Sequence, residues 1–63
     1  MQKFKEGDRV AFRAPGGHRH GEICKVYPTG EEGTQQLYDI ELDGTILRLV
    51  YSNVPETLIT DRL

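Results

Sequence analysis

His18 and His20, one residue apart, and Cys24, four residues further on, are the side chains of this 63-residue chain best suited to chemistry. Alternate residues of a strand project to one side, so an extended His18-x-His20 would hold both imidazoles together. Neutral imidazole and thiolate are good zinc ligands, but a closed structural site takes four ligands. The fourth is missing, although Glu22 lies nearby. Two exposed histidines, with no metal and no cofactor, are therefore the expectation. Cys24, His20 and an acid would also be the parts of a nucleophilic site. Cys24, however, stands among Ile23, Val26 and Tyr27, where a buried, inert thiol is expected. Glu31 and Glu32 lie in a polar loop, a poor place to tune a carboxylate. Pro15-Gly16-Gly17 lacks the lysine and the following helix of a phosphate-cradling loop. No catalytic residue is expected, and the chain reads as a non-enzyme.

Binding chemistry is better represented. The run Arg13-Ala14-Pro15-Gly16-Gly17-His18-Arg19-His20 gathers cationic and planar groups, with Lys25 and Tyr27 following it and Tyr51 as a further surface aromatic. Such groups contact phosphates and stack on bases, or meet an acidic protein. The net charge of −2 hides an asymmetry. Residues 1–25 hold six Lys or Arg against three Asp or Glu, whereas residues 26–63 hold two against seven. An isoelectric point near 5.5 argues against a general phosphate binder and leaves only a local basic patch.

Short elements must position these groups. Charged residues are 29% and hydrophobic residues 37% of the chain, a composition for one small domain over 1–63. No run approaches the roughly 20 apolar residues of a membrane-spanning helix. Met1-Gln2-Lys3-Phe4-Lys5 is followed by no apolar stretch, so no secretory signal is expected. One cysteine excludes an internal disulfide framework and fits a reducing cytoplasm.

Turn formers punctuate the chain: Gly7-Asp8, Pro15-Gly16-Gly17, Pro28-Thr29-Gly30, Asp43-Gly44 and Asn53-Val54-Pro55. Between them lie runs rich in β-branched and aromatic residues, the pattern of an all-β domain. Strands are expected at 8–13, with Val10 and Phe12 inward and Ala11 outward, and at 21–27. In the latter, Ile23, Cys24, Val26 and Tyr27 break strict alternation, as a bulge or burial on both faces would. A third strand at 35–42 alternates best, through Tyr38, Ile40 and Leu42. Asp43-Gly44 then signals a tight hairpin into a fourth strand at 45–51, apolar on both faces except at Arg48. Residues 14–20 and 28–34 read as loops, 52–56 as a single 3-10 turn and 57–61 as a closing strand. Val10, Phe12, Ile23, Tyr38, Ile40 and Val50 form the expected core.

The order Gly7-Asp8-x-Val10, Gly21-Glu22-Ile23 and Tyr38-x-Ile40 leading into Asp43-Gly44 resembles SH3-like barrels of the Tudor and KOW kind, over about residues 4–60. It is most similar to small bacterial Tudor-like proteins, including those labelled hypervirulence-associated. The resemblance implies a small five-stranded barrel with a short 3-10 turn before the last strand. It also implies a non-enzymatic module binding a protein or a nucleic acid, here through the 13–20 loop. An aromatic cage for a methylated side chain would need more surface rings than Tyr27 and Tyr51. Gly7-Asp8-Arg9-Val10 also resembles the start of plasmid-borne type II dihydrofolate reductases. There, Leu49 replaces the glutamine of that family's signature strand, and Phe12 stands where its pore lysine does. A third reading is structural: the strand at 46–51 would join copies of the chain into a homo-oligomer.

Overall fold

The structure, a computed structural model, describes residues 4–28, 35–44 and 47–63. It is all-β. Five antiparallel strands, β1 (Arg9–Ala14), β2 (Gly17–Val26), β3 (Leu37–Leu42), β4 (Val50–Pro55) and β5 (Ile59–Arg62), form one sheet in the order β4-β3-β2-β1-β5. A 3-10 turn, Glu56–Leu58, precedes the last strand. The edge strands β4 and β5 do not pair with each other, so the expected barrel takes the form of an open sheet. That sheet is curled. The Phe12 ring on β1 meets the Tyr51 ring on β4 edge-on, centroids 5.6 Å apart, although β2 and β3 lie between those strands.

Alternation explains the core. Val10, Phe12, Ile23, Tyr38 and Ile40 are fully buried, with Leu42 and Val54 nearly so. Burying side chains of this size stabilises a fold by about 1.5–3 kcal/mol each. The Tyr38 hydroxyl lies at the edge of this core and donates to Glu56 Oε2 at 2.6 Å. The phenol is thereby satisfied, as a buried polar group must be.

Three bulges set which residues face inward. On β2, Ile23 lies opposite Ile40 and Lys25 opposite Asp39, which leaves Cys24 as the extra residue. This bulge is the cause of the broken alternation in the sequence. On β5, Thr60 is the extra residue between Ile59 and Asp61, opposite Phe12 and Ala11. On β4, Val54 lies opposite Tyr38 and Tyr51 opposite Ile40, so three residues of β4 span two of β3. Asn53 absorbs the surplus at a φ of 57°, a conformation asparagine tolerates better than most residues. An odd spacing would normally put Tyr51 and Val54 on opposite faces; the bulge turns both toward the core.

Several sequence expectations are corrected here. Residues 17–20 are strand, not loop. Ala14 pairs with Gly17, and only Pro15 and Gly16 turn the chain, with Gly16 at a φ of 89° as a type II turn requires. The fourth strand runs over Val50–Pro55 rather than 45–51. Val50 is therefore exposed, and Val54 takes the core position expected of it. Ser52 to Pro55 are strand, so the 3-10 turn comes later than expected. Asp43-Gly44 turns the chain but does not close a two-residue hairpin, because the Leu42 N–H donates to the Leu49 carbonyl. Ala11 is buried despite facing away from the core; its side chain is small enough to be covered by β2 and β5 beside it. Gly21 lies within a strand rather than at its entry. A Cβ there would stand 2.4 Å from the Glu41 carbonyl oxygen and 2.6 Å from Ile40 Cγ2, so the approach of β3 demands glycine. The Glu31-Glu32 pair, the rest of 29–34 and Ile46 lie outside the described residues.

Candidate functional site

β2 is the longest strand, and only part of it is paired on both sides. Its ladder with β1 runs from Gly17 to Glu22, whereas its ladder with β3 begins at Gly21. Residues 17–20 thus continue the β1–β2 ribbon past the end of β3. Register assigns the side chains of this ribbon. Arg19 lies opposite Phe12 and shares its inner side, while His18 and His20 lie opposite Arg13 and Ala11 on the outer side.

Of the seven expected binding residues, four meet here: Arg13, His18, Arg19 and His20. All are exposed, and among the described residues none has a side-chain hydrogen bond or ion pair. The other three lie elsewhere. Lys25 and Tyr27 stand at the far end of β2, with Lys25 Nζ 4.6 Å from the centre of the Tyr27 ring. Tyr51 is not a surface aromatic; it is half-buried against Phe12 and the core.

A shallow groove of about 330 Å³ borders the ribbon, lined by His18, Arg19, His20, Leu42, Asp43 and Gly44. Three consecutive residues of one strand can line one groove only if it follows the strand's edge. Asp43 closes one end: its N–H donates to the His20 carbonyl at 3.0 Å, and its carboxylate is paired with the Arg9 guanidinium.

The other arginines of the chain are likewise engaged. Arg48 pairs with Glu41, and Arg62 lies 3.5 Å from Asp8. Asp39, which the sequence did not mark, is the organising residue of the far end. Its Oδ2 accepts the Tyr27 hydroxyl at 3.0 Å, and its Oδ1 accepts the Asn53 N–H at 3.1 Å. One carboxylate thereby joins the end of β2 to the bulge of β4. The bond to Asp39 is also the main reason the Tyr27 phenol is held above its ordinary pKa, with burial and the Asp39 charge adding to it. Gln36, likewise unmarked and buried, donates to the carbonyls of Tyr27 and Leu37.

Cys24 sits at the β2 bulge with its sulfur 3.4 Å from the Asp39 carbonyl oxygen. The residue is exposed rather than buried, which corrects the sequence reading. Partial desolvation of the sulfur against the sheet is the largest cause of its raised pKa, and the Asp39 charge raises it further. A thiol so disposed is a poor nucleophile near neutral pH. Among the described residues, no group of three or more His, Cys, Asp or Glu is arranged to hold a metal ion, and no helix is long and apolar enough to cross a membrane.

No family model matches the chain, and neither the curated proteins nor the solved structures contain a match to it.

Proposed function

We propose that this protein is a small non-enzymatic binding module whose partner is anionic and docks on the end of the β1–β2 ribbon. One observation carries the reading: Arg13, His18, Arg19 and His20 meet there with no side-chain partner among the described residues, while the other arginines, Arg9, Arg48 and Arg62, are engaged, as is Lys25. Exposed guanidinium and imidazole groups left without a partner cost the fold little and remain available to an incoming acidic group. Five strands with a 3-10 turn before the last support the resemblance to SH3-like barrels of the Tudor and KOW kind. Function as a module in the cytoplasm follows from that resemblance and from the single cysteine. The reductase resemblance gains no such support, since Phe12 is fully buried and offers no polar group to a pore.

Titration of the labelled protein with an acidic peptide, a single-stranded RNA and a DNA duplex tests the proposal. Resonance shifts should centre on Arg13 and residues 18–20, and Arg13→Glu with Arg19→Glu should abolish them. Shifts confined to Lys25, Tyr27 and Asp39 would contradict it.

A second reading rests on a different observation. Leu47, Leu49 and Val50 are all exposed, Leu47 at 78%, which is where a contact between copies of the chain would form. Sedimentation at micromolar concentration separates the two readings, because a strict monomer removes the second.

A further inference from the structure

We infer that the partner is a protein segment, extended and acidic, which adds to the sheet as a strand along the edge of β2 at His18–His20 that is free among the described residues. The inference rests on the reading of the ribbon as a binding surface and narrows what binds there.

Backbone geometry supplies the argument. The Ile23 N–H donates to the Asp8 carbonyl at 2.9 Å and the Ile23 carbonyl accepts the Gly7 N–H at 2.8 Å, so residue 23 directs both groups toward β1. In an antiparallel ladder this direction alternates along the strand. Gly21, Arg19 and Gly17 therefore bond toward β1, while Glu22, His20 and His18 direct their groups the other way. Glu22 meets β3 there, opposite Glu41. The His20 carbonyl takes the Asp43 N–H, and there β3 ends. The His18 N–H, the His18 carbonyl and the His20 N–H are left facing the groove, with no backbone partner among the described residues.

Unpaired strand edges are templates for another strand. Main-chain bonds give such a complex its affinity, and side-chain contacts give it selectivity. Here His18 and His20 stand on one side of the edge and Arg19 on the other. An incoming strand presents alternate residues to each side, so a continuous run of Asp or Glu, rather than an alternating one, would meet all three. Nucleic acid is the poorer fit. It cannot use the unpaired His18 and His20 amides as a strand does.

The probe is a capped peptide with a run of glutamates between valines, compared with the same peptide N-methylated at every glutamate and with a single-stranded RNA. Binding to the full chain is followed by amide resonances. The expected result is a shift and slowed exchange of the His18 and His20 amides with the first peptide, and binding about tenfold or more weaker after N-methylation, which keeps every charge. Equal binding of the two peptides overturns strand addition, although the ribbon remains an anion site. Tighter binding of RNA at the ribbon overturns the choice of partner and leaves the proposed function standing. Failure of all three to bind overturns both.

Discussion

Residues 21–26 of β2 are paired with β3, and Gly21 and Glu22 with β1 as well, whereas residues 17–20 are paired with β1 and, among the described residues, meet the other side only where the Asp43 N–H donates to the His20 carbonyl. In the first half most of the polar groups are engaged. Glu22 pairs in the ladder, Lys25 lies over Tyr27, and Tyr27 and the β4 bulge share Asp39. In the second half three ionisable side chains and part of the backbone have no partner among the described residues. The difference teaches how one strand could carry two roles under the proposed function. Satisfied polar groups fix the register of the sheet, and exposed, unsatisfied ones next to that fixed register would meet a ligand without destabilising the fold.

Glycine substitution breaks the comparison most severely. Gly21→Ala sets a methyl group against the Glu41 carbonyl and Ile40, and should cost about 3 kcal/mol, lowering the melting temperature by more than about 10 °C. At Gly17, the start of the one-sided half, an added methyl group would meet nothing within 4 Å, and only the φ of 135° opposes alanine there. Gly17→Ala should therefore cost less than Gly21→Ala, as thermal melts would read.

Asp39→Asn sharpens the comparison at the crowded end. An amide cannot accept both the Tyr27 hydroxyl and the Asn53 N–H as a carboxylate does, and the loss should be about 1–2 kcal/mol in denaturant melts. The same change removes a negative charge that raises the Cys24 pKa, so the pH profile of Cys24 alkylation should move to lower pH. Partial desolvation is the largest cause of that shift, so the profile should still lie above that of an ordinary thiol.

The smallest effect on stability belongs to the ribbon. Arg13→Ser and Arg19→Ser remove side chains that have no partner among the described residues, and each should change stability by no more than about 0.5 kcal/mol while weakening capture of the acidic peptide.

Much of the fold is legible in the sequence because the alternation of Tyr38, Ile40 and Leu42 and the β-branched runs speak directly of buried faces. The site is only partly legible. Arg13, His18, Arg19 and His20 can be marked from residue type, yet their strand cannot, because His18, Arg19 and His20 offer no apolar alternation and Pro15-Gly16-Gly17 reads as the start of a loop. A turn of only two residues leaves them free to pair with β1. The fourth strand is displaced for the opposite reason. Leu47, Leu49 and Val50 look more strand-like than Asn53 and Pro55, but an edge strand accepts a bulge and a proline where a central one does not. Asp39 gives no signal, since a carboxylate on the polar side of a strand is ordinary until its two partners are seen.

Amide hydrogen exchange of the free protein tests the central claim most directly. If the His18 and His20 N–H groups have no partner, their amides exchange fast, while those of Arg19, bonded toward β1, and Glu22, bonded toward β3, are protected. Protection of His18 equal to that of Glu22 would contradict the account, because the edge on which the binding surface depends would then already be filled.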